Sequence, residues 1–253
     1  MVENTFGISP YISGAVITIL TGLVILGGVK SIAKVCEKLV PFMAGFYIIG
    51  CIIILILNHA YVLDALKLIV SSAFTPQAAG GGFVGSTVMM AIRFGIARGL
   101  FTNESGLGSA PIVDAAAVTR NPVRQGLIAM TGVFWDTVIV CALTGLVLVS
   151  SILRNPDGMS GLSGGALSSA AFANIPVVGP IVLTVGLICF AWSTILGWSY
   201  YGERCWVYLC GQKAIMPFRI IYTLVVFVGS VMTLDAVWGI ADIPVSYTHL
   251  TLP

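Results

Sequence analysis

Four long apolar runs, at about residues 11–29, 39–57, 125–151 and 177–201, decide what this chain can fold into. A fifth, at about 217–240, is shorter and is interrupted by Asp235. Each is close to the ~20 residues that carry a helix across ~30 Å of hydrocarbon. The rest of the chain cannot turn such runs into a water-soluble core. Only 9% of its residues are charged, against about 25% in a soluble domain. A chain this poor in polar groups takes the lipid bilayer as its solvent, and the expected fold class is all-α and integral to the membrane. The net charge of +2, with no basic stripe, excludes a nucleic-acid partner. Six cysteines without a CxxC pair, and two histidines, assemble no zinc site, so the cysteines read as small apolar residues. The N-terminal MVENTFGISP lacks the positive region of a signal peptide, which leaves insertion to the spans themselves.

Between the second and third runs lies a segment, 78–118, that is long enough to cross but rich in glycine and polar groups. Loop charges decide whether it crosses. If it does, one set of alternate loops holds Lys30, Lys34, Lys38, Arg120, Arg124, Arg204, Lys213 and Arg219, and the other only Lys67 and Arg154. Lysine and arginine favour the cytoplasmic side, and the asymmetry is lost if 78–118 is left out. The segment is therefore expected to span, with 58–77 and the flexible or re-entrant stretch 155–176 outside.

A span containing RGLFTNESGLGSAP at 98–111 cannot be one continuous helix facing lipid. Gly99, Gly106 and Gly108 permit unwinding, and Pro111 suits the first turn of a restarted helix. The pattern predicts a helix over 86–98, an unwound linker, and a helix over 109–119 with Ser109 as its N-cap. Non-helical backbone at membrane depth survives where protein or a water-filled cavity shields it, and its free carbonyls and N–H groups can hold a cation and a carboxylate. A re-entrant loop serving only packing is the alternative. Arg93, Arg98 and Glu104 favour function, with Glu104 expected to form a gating or structural ion pair with Arg98 or Arg93. Asp136, a few residues into the third run, is expected to meet Arg120 or Arg124.

The second polar cluster, CFAWSTILGWSYYGER at 189–204, sits inside a clean apolar run. Gly179, Gly186 and Ser193 recur every seven residues, with Gly197 four further on, and make one small-residue face. Thr194 and Trp198 are helix neighbours that suit a small amphiphilic ligand, and Ser193 with Thr194 offers adjacent hydroxyls of the kind that complete an oxygen shell. Helix packing plus an interfacial aromatic girdle of Trp198, Tyr200, Tyr201 and Trp206 explains the same residues.

RGLFTNESGLGSAP, NPVRQG at 121–126, FWDTVIVCALTGLVLVSS at 134–151 and FAWSTILGWSYYGERC at 190–205 together resemble the alanine or glycine:cation symporter family, over about residues 6–240. That resemblance implies sodium-coupled symport of a small neutral amino acid, alanine or glycine, in a multi-pass protein of the cell membrane. It implies a helix bundle of the leucine-transporter-like inverted-repeat type. Residues 1–244 would be a single transmembrane transporter domain, holding the end of the first repeat and all of the second, with 78–118 the discontinuous helix that opens the second. Gly99, Phe101, Thr102 and Asn103 would then line the substrate site, Thr194 and Trp198 would close it, and Ser193 and Thr194 would bind Na+. No bound cofactor is implied beyond Na+ as coupling ion.

The same resemblance places the partner broken helix before residue 1, and the terminal SYTHLTLP departs from the family pattern, so residues 245–253 are expected to be of unrelated origin and the chain an internal fragment. Two other functions compete. A channel could also use half-helices. An intramembrane serine protease could use the GxSG patterns at 158–161 and 161–164, but it would have only His59 or His249 as base.

Overall fold

The computed structural model describes residues 5–73, 103–104, 109–162, 164–175, 178–233 and 236–237. Among them there is no strand. In chain order the helices are α1 (Pro10–Leu26), α2 (Gly28–Leu57), α3 (His59–Ala73), the short α4 (Ala110–Asp114), α5 (Pro122–Val133), α6 (Ala142–Arg154), α7 (Pro156–Met159), α8 (Gly164–Phe172), α9 (Val178–Cys210) and α10 (Ile215–Val231). A π-helix over Phe134–Cys141 joins α5 to α6, so that Pro122–Arg154 forms one unbroken span. A single 3-10 turn, Gln212–Ala214, leads into α10. Four helices are long and apolar enough to cross a membrane: Gly28–Leu57, Pro122–Arg154, Val178–Cys210 and Gln212–Val231. The chain is a multi-pass, all-helical membrane protein.

Helices cover the apolar runs; α2, α9 and the span Pro122–Arg154 extend past theirs, whereas α1 stops at Leu26, short of 29, and α10 at Val231, short of 240. Residues 30–38, expected as a loop, are helical throughout: only Gly27 separates α1 from α2, and Gly28, the first residue of α2, makes the turn at φ 74. Positive φ at no steric cost is what glycine supplies there. The 177–201 run likewise continues to Cys210. A helix leaving hydrocarbon keeps its backbone paired by staying helical, whereas apolar content reports only where lipid ends. The stretches 58–77 and 155–176, read as loops, contain α3, α7 and α8.

The chain divides into two compact units, Met1–Leu39 with Phe190–Pro253, and Val40–Cys189. In the first, α1 packs along α10. Small residues let the backbones close: a Cβ on Gly14 would lie 2.7 Å from Ser230 Oγ, and one on Gly22 3.2 Å from Thr223 Cγ2. The other side of α10 exposes Ile220, Ile221, Leu224, Val225 and Val228, as a lipid-facing surface requires.

In the second unit α3 packs along α6, and α2 meets α9 and α8 through Gly50, which lies against Val182 and Phe172. Tyr47 stacks on Phe172 with centroids 5.8 Å apart, and its hydroxyl lies 2.8 Å from Thr144 Oγ1. Thr144 Oγ1 spends its proton on Val140 O, so Tyr47 is the donor of this pair. The small-residue face of the 177–201 run is used in part. Gly186 takes the Tyr47 ring and Gly179 abuts the Phe172 carbonyl, while Gly197 meets nothing within 4 Å among the described residues. A Cβ on Gly179 would collide with that carbonyl, which is backbone and cannot swing aside. Gly179→Ala is therefore expected to destabilise the protein by about 1–3 kcal/mol, read as a lower thermal midpoint of the purified protein; Gly197→Ala should leave the midpoint unchanged.

Candidate functional site

In α9, Ser193 Oγ and Thr194 Oγ1 donate to the same carbonyl, Phe190 O, at 2.9 and 2.8 Å. Ser and Thr inside helices commonly bond back in this way. A hydroxyl that donates to its own helix keeps its oxygen as an acceptor, the chemistry that a cation or an N–H donor requires. Ser193 is half-buried and Thr194 exposed.

Trp198 packs edge-to-face on Tyr201, with centroids 5.5 Å apart. Tyr200 does not belong to an interfacial girdle. It is buried, with the Arg204 guanidinium 5.2 Å above its ring. Eight residues before Tyr200, Trp192 Nε1 donates to the fully buried Thr21 Oγ1 of α1, at 3.2 Å.

The second set of expected residues lies in the other unit. Gly99, Phe101, Thr102, Arg93 and Arg98 fall outside the described residues, as does any ion pair they make. Asn103 and Glu104 are described. The Asn103 amide engages Thr137 of the π-helix twice: Nδ2 donates to Oγ1 at 3.0 Å, and Oγ1 donates to Oδ1 at 3.1 Å. Glu104 stands at φ 55, a left-handed conformation that costs a non-glycine residue roughly 1–2 kcal/mol. Its carboxylate accepts from Ser109 Oγ at 3.1 Å.

Ser109 is thus a donor to Glu104, not the expected N-cap. Its own backbone is already helical and its side chain caps no N–H. Pro111 does sit in the first turn, but the expected helix over 109–119 is only Ala110–Asp114, followed by turns. Asp136 meets neither Arg120 nor Arg124: among the described residues it forms no ion pair, and its buried Oδ2 has no hydrogen-bond partner.

Two polar clusters escaped the sequence. Glu203, 6% exposed, receives Arg219 Nε at 2.7 Å and Arg204 Nη2 at 2.8 Å. Arg219 Nη1 also donates to Leu26 O, 3.1 Å away at the end of α1, and its guanidinium rests against Gly28. Arg219 thereby ties α1, α9 and α10 together. In the other unit Asn58, in the turn between α2 and α3, is a buried hub. Its Nδ2 reaches Ser151 Oγ at 3.1 Å and Ser150 Oγ at 3.4 Å, and its Oδ1 accepts from Arg154 Nη1 at 2.8 Å. Asn174 Nδ2 completes the hub on Ser151 Oγ at 3.0 Å. A polar residue just past a predicted run end was the available signal in both cases.

The model of the sodium:alanine symporter family matches residues 1–251. The chain belongs to that family. Sodium/alanine symporter AgcS of Methanococcus maripaludis is 48% identical over 241 residues, covering 95% of this chain and 52% of its own. An uncharacterized transporter of Haemophilus influenzae is 51% identical over 244 residues, covering 95% and 53%. A sodium/proton-dependent alanine carrier protein of Bacillus sp. strain PS3 is 31% identical over 257 residues, covering 95% and 57%. The chain spans about half the length of these curated relatives.

Membership in a family of symporters removes the protease reading. The His59 imidazole Nδ1 lies 3.1 Å from Ile56 O; Ser163 lies outside the described residues.

The Glu203 cluster generates a stability test. Arg219→Ala leaves a buried carboxylate with one of its two cations, and removing a partner from a buried pair costs about 3–5 kcal/mol. The thermal midpoint of the purified protein should fall markedly. Arg219→Lys should recover only part of it, because one ammonium cannot reproduce the guanidinium fork between Glu203 and Leu26 O.

Proposed function

We propose that these residues belong to a sodium-coupled symporter of small neutral amino acids, alanine or glycine, that works by alternating access. What most supports this is the pair of hydroxyls on Phe190 O in a chain close to AgcS, which is named a sodium/alanine symporter. Ser193 and Thr194 supply oxygen ligands to Na+, a hard cation that prefers them. The backbone around Gly99, Phe101, Thr102 and Asn103 takes the amino acid, with Thr194 and Trp198 contacting its apolar part. Glu104 with Arg93 and Arg98 serves gating or segment integrity. The architecture is the leucine-transporter-like inverted repeat, with residues 1–244 one transporter domain and the segment 78–118 its discontinuous helix.

Transport makes and breaks no covalent bond, so neither a catalytic residue nor a prosthetic group enters it. Na+ acts by differential binding: it favours the conformation that also binds alanine, and the loaded carrier then reorients. Alternating access of this kind places ion and substrate near the midplane, where broken helices expose backbone groups.

Reconstituted into proteoliposomes, the full-length gene product should accumulate alanine when an inward Na+ gradient is imposed and should stop when the gradient is collapsed. Equal uptake under both conditions would refute coupling. Ser193→Ala should raise the Na+ concentration for half-maximal uptake about tenfold, the equivalent of roughly 1.4 kcal/mol, while the alanine KM at saturating Na+ changes less. An unchanged Na+ dependence would remove Ser193 from the ion site.

A further inference from the structure

The π-helix is the least expected element in the molecule. Runs of eight residues in this geometry, Phe134–Cys141, are rare, and π segments concentrate at functional positions. Its one described side-chain link to the segment at 98–111 is Thr137, whose hydroxyl closes a two-point ring with the Asn103 amide at 3.0 and 3.1 Å. Only a group that donates and accepts through one atom can do this against an amide, which presents a donor and an acceptor side by side. A π-turn is wider than an α-turn, so it re-aims the side chains within it. At the other end of the π-helix, Thr144 holds Val140 O at 2.7 Å and receives Tyr47, which anchors the wide turn to α2.

We propose that Thr137 is a positioning residue for amino-acid binding. Its hydroxyl clamps the Asn103 side chain on the π-helix and so fixes where Asn103 stands in the amino-acid site. This rests on the functional reading above, in which the segment around Asn103 takes the amino acid. Neighbouring Glu104, at φ 55, shows why a clamp is useful: the chain there holds a conformation it would not keep unaided.

The test is alanine uptake by the full-length protein in proteoliposomes, comparing wild type with Thr137→Val, Thr137→Ser and Asn103→Leu. Thr137→Val keeps shape and removes both hydrogen bonds. It should raise the alanine KM about tenfold, in line with two net hydrogen bonds, while kcat falls less than twofold. Thr137→Ser should bring the KM back to within about twofold of wild type. Asn103→Leu should reproduce the Thr137→Val effect, and the double variant should be no worse than either, since both remove one contact. It also keeps the test open if Thr137→Val does not reach the membrane. An unchanged KM in Thr137→Val, or a Thr137→Ser as impaired as Thr137→Val, would overturn the proposal while leaving symport intact. Absence of sodium-driven alanine uptake in the wild type would instead overturn the functional reading itself, and the proposal with it.

Discussion

In hydrocarbon every polar group must bring its partner, and the rest of this structure follows from that requirement. It makes helices the only spanning elements, and it keeps α2 and α9 helical well past their apolar stretches. Most described polar side chains obey the same rule, with the buried Asp136 Oδ2 and Arg204 Nε as exceptions. Ser193 and Thr194 settle their protons on Phe190 O, Tyr47 settles its own on Thr144, and Asn58 gathers two serines and Arg154 around one amide. Apolar packing between helices contributes little specificity when lipid is equally apolar, so small-residue faces and buried polar pairs decide which helices meet. Gly14 and Gly22 between α1 and α10, and the Glu203–Arg219 pair beside them, illustrate both devices in one unit.

The same rule gives function its material. A hydroxyl that has spent its proton on its own helix is an oxygen ligand with no donor left, and two such oxygens lie side by side on α9. An amide closed on a hydroxyl, as Asn103 is on Thr137, keeps its side chain out of competition with a ligand for the backbone. The proposed symport asks for weak, reversible recognition of a cation and a zwitterion, which groups of this kind would supply without placing a net charge in the lipid.

Much of this could be read from the residues, and the failures are instructive. Run length was enough to place helices over the apolar runs, although the first run forms only the shorter helix Pro10–Leu26 and most of 78–118 lies outside the described residues. It was not enough to find their ends, because Lys30, Lys34 and Lys38 can leave the bilayer and remain on a helix. Ser109 looked like an N-cap because Ser before Ala-Pro usually is one; its own backbone is already helical where a cap is extended, so its oxygen accepts from no first-turn N–H, and its proton goes to the Glu104 carboxylate. The π-helix left no trace, since hydrophobic periodicity cannot distinguish α from π where almost every position is apolar. Glu203 and Arg219 were invisible as a pair because they lie sixteen residues apart on different helices, and only packing reveals such a contact. Ser193, Thr194 and Trp198 do lie on one continuous apolar helix, α9, as their run implied, and Trp198 also packs edge-to-face on Tyr201.

The central claim is that Na+ and a small neutral amino acid bind this protein cooperatively. Linkage makes that claim reciprocal: whatever factor Na+ adds to alanine affinity, alanine must add to Na+ affinity. Equilibrium binding of radiolabelled alanine to the purified full-length protein, titrated at several Na+ concentrations and repeated with Na+ titrated at several alanine concentrations, measures both factors without any membrane gradient. The account predicts that alanine binding tightens as Na+ rises and that the two factors agree. Alanine affinity independent of Na+ would contradict it.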